Sequence, residues 1–364
     1  MENSIQTKGN KGEWSELYAL AYLLVNGGAH SADENQVAIP NEYFKVLQVV
    51  ITNRDLQDEL KYEIKENTIE IFENDNHVKS LEKELLKEQV DFFFQDLTSG
   101  KGKKTFEVKS GTKLMHSLNK RTISAGSSER ETDLSLVIVD QETGSATPRF
   151  GFSVKSQIGQ AATLLNSSGA TNLIYRVVPK DGFNLDDLPD LSSTASSHPQ
   201  NVRKILDSGF ELQFDSYQNE KFSDNLSYVD SQLPSHFARV LLESYVHDEL
   251  KSFSEICERI FPIAEKKSSQ PLFKLQELLG AISMGLRPAR EWKGNNSKFK
   301  GLMVVKVDGQ VVFYFMNSRL KFEEYLYSNV KFERPSTSKF KYGALYEKDG
   351  SMFIKLNAQI RFQK

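Results

Sequence analysis

Two short runs of sequence, DLSLVIVD from Asp133 to Asp140 and RFGFSVKS from Arg149 to Ser156, decide how this chain is read. Each alternates polar and apolar residues, and Gln141-Glu142-Thr143-Gly144 stands between them, so together they predict a β-hairpin. Side chains alternate across a strand, which places Leu134, Leu136 and Ile138 on one face with Phe152 and Val154. That face goes to a core. Asp133, Ser153 and Lys155 share the other. A turn centred near Gly144 puts Asp133 opposite, or nearly opposite, Lys155, and paired residues have Cβ atoms about 5 Å apart. A carboxylate and an ammonium so placed are what metal-dependent phosphodiester hydrolysis requires: the carboxylate holds Mg²⁺, and the lysine orients or helps deprotonate the attacking water. The competing interpretation is an exposed cross-strand ion pair, which is common and contributes little.

The flanking sequence bears on that choice. EWSELYALAYLL, Glu13 to Leu24, carries Trp14, Leu17, Leu20, Ala21 and Leu24 at helical spacing and predicts an amphipathic helix. Glu13 and Glu16 near its start are candidates for a second metal-binding carboxylate. Beyond the lysine, Ser156-Gln157-Ile158-Gly159 leads to the run Thr163 to Asn172, rich in small hydrogen-bonding residues. It is either a long surface connection that caps a helix or a segment that touches phosphates and base edges.

Further from the hairpin, Leu81 to Leu97 predicts a helix with a stripe of Leu81, Leu85, Val90, Phe93, Phe94 and Leu97, followed by a basic loop with Lys101, Lys103 and Lys104. Leu173 to Val178 predicts a strand and Leu191 to His198 a serine-rich loop or linker. From Asn201 to Gln270 helices and loops alternate, and Leu272 to Gly285 is a further helix. The last stretch is β-rich, with turns at Asp308-Gly309 and Asp349-Gly350. The 364 residues, 39% hydrophobic and 26% charged, suffice for a sizeable core. A polar N-terminus, no long apolar span and a single cysteine, Cys257, predict a cytoplasmic protein without a disulfide framework or thiolate zinc site. The net charge of −3 conceals an asymmetry. Arg54 to Asp96 holds 6 Lys/Arg against 13 Asp/Glu, a balance of −7, and Arg287 to Lys364 holds 16 against 7, a balance of +9. A concentrated basic surplus suits phosphate-backbone binding, although it also describes a solvated basic face.

GNKGEWSELYAL (Gly9 to Leu20), TDLSLVIVD (Thr132 to Asp140), FGFSVKSQIG with TLLNSSGATN (Phe150 to Asn172) and YGALYEKDGSMFIKLNAQIRF (Tyr342 to Phe362) resemble the HpaII family of type II restriction endonucleases. The resemblance spans most of the chain. It implies an α/β fold with a PD-(D/E)XK nuclease core, a mixed sheet flanked by helices, and double-strand cleavage within a short palindrome, with CCGG the family's namesake target. Asp133 matches the acidic residue heading the second core strand, and Lys155 the motif lysine. Ser153 stands where most nucleases of this superfamily have Asp or Glu, and serine is a poor ligand for a hard divalent cation. The missing charge is then expected from Glu16 first and Glu13 second. Gln157 is expected to help position water if the strand continues past Lys155.

The expected organisation is a nuclease core over residues 1–190, with a helical insertion at about 54–120, and a helical plus β-rich region over 191–364 that completes the fold and binds DNA. DNA contacts are expected from Thr163, Asn166, Ser167, Ser168, Thr171, Asn172, Lys101, Lys103 and Lys104. A palindromic target favours a homodimer, each subunit cutting one strand, and a cognate methyltransferase would act on the same site. Two other functions share such a core: a non-catalytic DNA-binding protein, in which Ser153 marks lost metal binding, and a repair or junction nuclease. One rival motif is Glu107-Val108-Lys109 with Asp91 upstream, but Asp91 falls inside a helical stripe rather than at the head of a strand. Lys109, Lys113 and Lys120 fit backbone contacts or a solvated loop. Tyr314, Phe313, Phe315 and Tyr342 fit a sheet face or core better than a base-stacking platform.

Overall fold

The computed structural model describes residues 6–52, 59–100, 104–124, 132–189, 191, 198–247, 249, 250, 252–262, 266–294, 299–335 and 340–363. The first helix, α1 (Lys11–Asn26), starts at a capping box. Asn10 Oδ1 accepts the Glu13 N–H at 3.1 Å, and Glu13 Oε2 accepts the Asn10 N–H at 2.8 Å. Gly27, at φ +71°, ends it. Then follow β1 (Gly28–Ala32), β2 (Ala38–Thr52), β3 (Glu59–Ile64), β4 (Thr68–Glu73), β5 (Asn76–Glu82), α2 (Lys83–Ser99), α3 (Lys109–Ser117), β6 (Leu134–Ile138) and β7 (Phe150–Ser156).

After β7 the chain leaves this body. It returns much later with β11 (Phe299–Val305) and β12 (Val311–Phe315). Together these strands make one nine-stranded sheet in the order β1-β12-β11-β7-β6-β2-β3-β4-β5. β2 is antiparallel to β6, β6 to β7, and β11 to β12, whereas β11 runs parallel to β7. β1 pairs with both β12 and β2, so the strands from β1 to β2 close into a ring. α1 packs against β1, β2, β7 and β11. It is therefore buried on most of its surface: Ser15, Ala19 and Leu23 are as enclosed as the expected stripe of Trp14, Leu17, Leu20, Ala21 and Leu24. Leu134, Leu136, Phe152, Val154, Met303, Phe313 and Phe315 meet it from the sheet. At about 25 cal/mol per Å² of apolar surface, such a core is the main source of stability in this body.

The chain divides into two units, one of residues 1–162, 296–325 and 364, the other of 163–295 and 326–363. The break expected near residue 190 thus falls at 162, because the strand completing the sheet beside β7 is its parallel partner β11. Parallel pairing needs a long crossover, and sequence spacing gives no sign of it. The expected helical insertion at 54–120 begins instead as the β3–β4–β5 meander, with Leu60, Tyr62, Ile69 and Ile71 buried at alternate positions. The positions that alternate with these hold the half-buried Glu59, Glu63 and Glu70, so charge masks the alternation in the sequence. α2 follows, and Leu81 belongs to β5. The inward stripe of α2 is Leu86, Val90, Phe93 and Leu97, while Leu85 is exposed.

The second unit contains two smaller sheets. One has the order β10-β9-β15-β14, from β9 (Asn172–Pro179), β10 (Phe210–Tyr217), β14 (Leu345–Lys348) and β15 (Ser351–Asn357). The other is β13-β16-β8, from β8 (Thr163–Leu165), β13 (Val330–Phe332) and β16 (Ile360–Phe362). Helices α4 (His198–Asp207), α5 (Glu220–Val229), α6 (Leu233–Val246), α7 (Phe253–Ile260) and α8 (Lys266–Ser283) accompany them, and α9 (Arg319–Asn329) precedes β13. Strand β10 occupies a stretch read as helix and loop. Asp349 and Gly350, both at positive φ, turn β14 into β15 as their sequence predicts. Ser192 to Ser197 of the serine-rich segment lie outside the described residues. Among the described residues no helix is long and apolar enough to cross a membrane.

Candidate active site

The β6–β7 ladder pairs Leu134 with Phe152 and Ser135 with Gly151, and the Asp133 N–H donates to Phe152 O at 2.8 Å. Asp133 therefore faces Ser153, and Lys155 lies two residues further along. The expected direct pairing with Lys155 is displaced by that amount. The link between the strands has a structure of its own: Val139 bridges Ala146, and the Thr143 amide and hydroxyl both donate to Asp140 Oδ1 at 2.8 Å. Those donors, the amide foremost, hold the Asp140 carboxyl below its ordinary range. A two-residue shift leaves each side chain on its own face. Asp133, Ser153 and Lys155 consequently still point the same way, opposite the buried Leu134, Phe152 and Val154.

The three groups form a chain of hydrogen bonds. Lys155 Nζ donates to Ser153 Oγ at 3.0 Å, and Ser153 Oγ donates to Asp133 Oδ2 at 3.0 Å. The Val154 N–H adds a bond to the same Oδ2 at 2.6 Å. Ser153 is buried, whereas Asp133 and Lys155 are half-buried. Side chains are thus fixed at the middle of the chain and open to solvent at its two charged ends.

The other expected members are distributed differently. Glu13 is the acidic half of the capping box on α1. Ser15 Oγ meets Ser156 Oγ at 2.7 Å, on the face of β7 opposite Lys155, and Glu16 follows Ser15 on the helix. A Cβ on Gly159 would stand 2.9 Å from Lys11 Cβ, so the start of α1 and the end of β7 approach closely only because residue 159 is glycine. Among the described residues no three His, Cys, Asp or Glu side chains converge on a common point, so Asp133, Glu13 and Glu16 do not form a cage. Gln157 keeps to the sheet, its N–H bonded to Val305 O at 2.9 Å, but its amide side chain is held by Gln36. Gln36 escaped the sequence reading. It sits at φ +65° in the turn between β1 and β2, where Asp33 Oδ1 accepts the Asn35 and Val37 N–H groups at 2.9 Å. The Asp-Glu-Asn-Gln run is the signal that could have found that turn.

Of the expected DNA contacts, Asn166 is exposed, and Thr163, Ser167 and Ser168 are half-buried. Thr171 and Asn172 are not available: they are 0% and 1% exposed. Asn357 Nδ2 donates to Asn172 Oδ1 at 2.6 Å and to Ser168 O at 2.7 Å, Thr171 Oγ1 bonds back to Ser168 O at 3.0 Å, and Asn172 Nδ2 reaches Gln218 Oε1 at 3.1 Å. Lys104 is exposed, and Lys101 and Lys103 lie outside the described residues. Lys120 is buried, its ammonium enclosed by the carbonyls of Thr122, Ile123 and Ser124, rather than in a solvated loop. Glu107 and Lys109 flank the start of α3 and do not lie on a strand. Lys306, Arg319 and Arg361 pair with Asp308, Glu323 and Glu333, acids already counted in the C-terminal balance of +9, whereas Lys321 pairs with Glu42 outside that stretch and so offsets one charge of the surplus. Phe313 and Phe315 are core, and Tyr314 stacks on Tyr325 at 3.8 Å.

The family model of the HpaII restriction endonucleases matches residues 10–362 of this chain. Type II restriction enzyme HpaII of Haemophilus parainfluenzae is 32% identical to it over 364 residues, covering 97% of the chain and 98% of that relative. No solved structure matches.

Proposed function

Because the chain belongs to the HpaII restriction endonuclease family, and so is a type II site-specific deoxyribonuclease acting on double-stranded DNA, we propose that Asp133 and Lys155 carry its chemistry on a PD-(D/E)XK core. The observation that carries this is the hydrogen-bonded chain from Lys155 through Ser153 to Asp133, open to solvent at both charged ends. The topology supports it. A helix, α1, precedes the antiparallel run β2–β6–β7, a parallel β11 follows β7, and the acid heads β6 while the lysine closes β7.

The donor set suits Mg²⁺. That ion takes hard oxygen ligands and is commonly held by one or two carboxylates together with substrate phosphates. Asp133 would hold it, with Glu16 as the candidate for a second carboxylate, and DNA phosphate oxygens and water would complete the shell. When bound, Mg²⁺ neutralises charge on the scissile phosphate and acidifies water. Lys155 keeps two of its three ammonium protons for the site. It orients the attacking water and offsets the negative charge that builds on the phosphate oxygens. The bond broken is the one that leaves 5′-phosphate and 3′-hydroxyl ends. The target is a short palindrome, with CCGG the first to test. The protein acts as a homodimer, each subunit cutting one strand, and a methyltransferase protects the same site in the host.

Digestion of unmodified plasmid in Mg²⁺ and in Mn²⁺, followed by sequencing of the ends, tests this reading. Discrete fragments that share one palindrome at every end are expected. Intact plasmid, or ends with nothing in common, contradicts it. In parallel, Glu16→Ala should slow cutting and Glu107→Ala should not.

A further inference from the structure

We propose that Ser153 is a positioning residue that determines which oxygen of Asp133 meets the cation and keeps the lysine from pairing directly with that carboxylate. An ammonium can only donate. The 3.0 Å contact from Lys155 Nζ therefore makes Ser153 Oγ an acceptor, and its one proton is left for Asp133 Oδ2, also at 3.0 Å. The Val154 N–H at 2.6 Å gives the same oxygen a second donor. Oδ2 is thereby engaged twice, and among the described residues no hydrogen bond reaches Oδ1. The carboxylate plane is fixed by the strand that carries the lysine, with Oδ1 as the oxygen offered to a cation. An acidic residue at position 153 would itself be a ligand and would pair with Lys155. Serine gives up that ligand and transmits the contact without charge. Because it is buried, it is held in this geometry before DNA arrives.

This rests on the assignment of Asp133 and Lys155 above. The test uses the full chain with Ser153→Ala, Ser153→Thr and Ser153→Asp, beside Asp133→Ala and Lys155→Ala. Three quantities are measured: single-turnover cutting in Mg²⁺, DNA affinity in Ca²⁺, and Mn²⁺ binding to the enzyme on uncleavable DNA, followed by electron paramagnetic resonance. Groups that orient a metal ligand are typically worth about ten- to a hundred-fold in metal affinity or activity. Ser153→Ala should lose cutting and Mn²⁺ affinity by that amount, with DNA affinity within about three-fold of the parent, a change too small to account for it. Ser153→Thr, which keeps the hydroxyl, should recover at least about ten-fold over Ser153→Ala. Ser153→Asp, which supplies a ligand, should bind Mn²⁺ more tightly than the parent. The proposal is overturned if Ser153→Ala keeps both cutting and Mn²⁺ affinity, or if it loses DNA affinity and melting temperature in step with cutting. If Asp133→Ala and Lys155→Ala cut as well as the parent, the assignment itself fails. If they are inactive while Ser153→Ala is unchanged, only the role of Ser153 fails.

Discussion

Two polar clusters, one in each unit, are built from the same kinds of side chain and end in opposite states. Around Asn357, the groups of Ser168, Thr171, Asn172 and Gln218 satisfy one another, and the Tyr245 hydroxyl donates to Asn357 O at 3.0 Å. The centre of that cluster, Thr171, Asn172 and Asn357, is buried, and these side chains are paired with one another. Around Ser153, only the middle is closed: Asp133 keeps an oxygen and Lys155 keeps protons at a half-exposed edge. Buried amides that saturate each other stabilise a fold, because an unpaired one costs about 1–3 kcal/mol. Charged groups with spare capacity at a surface stabilise little, but they can bind and react.

The comparison is broken most severely at the ends of the Lys155–Ser153–Asp133 chain. Asp133→Ala and Lys155→Ala should each reduce single-turnover cutting about a thousand-fold or more while leaving DNA binding and the melting temperature nearly unchanged. Full activity in either would remove that residue from the site. The opposite profile is expected at the other cluster. Asn357→Ala should destabilise the protein by about 3 kcal/mol in chemical denaturation, because it strips side-chain partners from Asn172, Ser168 and Thr171 together, and Asn172→Ala by about 2 kcal/mol. Below the unfolding transition both should cut; a loss of cutting in the stable fraction would make that cluster part of the site. A smaller change sharpens the distinction at α1. Asn10→Ala removes the cap and should cost about 1 kcal/mol. The smallest effect is expected from Glu13→Gln, which retains the capping box but discards the charge. Cutting should stay within about three-fold of the parent, since only a metal-binding role depends on the charge that glutamine lacks. A large drop would return Glu13 to the list of ligands.

The central hairpin was legible because its signal is local: period-two alternation assigned Asp133, Ser153 and Lys155 to one face even though the register was off by a residue pair. Helix α1 was also legible, from the apolar spacing of EWSELYALAYLL. What stayed hidden depends on distance along the chain. The pairing of β11 with β7 spans residues 163–295 of the second unit, and composition does not distinguish a strand that returns from one that starts a new sheet. Nor does residue type separate Thr171 and Asn172 from Asn166: all three suit a DNA-contacting loop, and only burial against Asn357 removes the first two. The β3–β5 meander was obscured by its half-buried glutamates, Glu59, Glu63 and Glu70, while Leu60, Tyr62, Ile69 and Ile71 carried the alternation beside them.

The central claim concerns where a cation and a phosphate sit. A crystal structure of the protein on its palindromic DNA in Ca²⁺ would locate both. Asp133 Oδ1 is expected at about 2.3–2.6 Å from the ion, the range for calcium–oxygen contacts, with the Lys155 ammonium against the scissile phosphate. An ion held elsewhere, with Asp133 and Lys155 distant from the DNA backbone, would contradict the account.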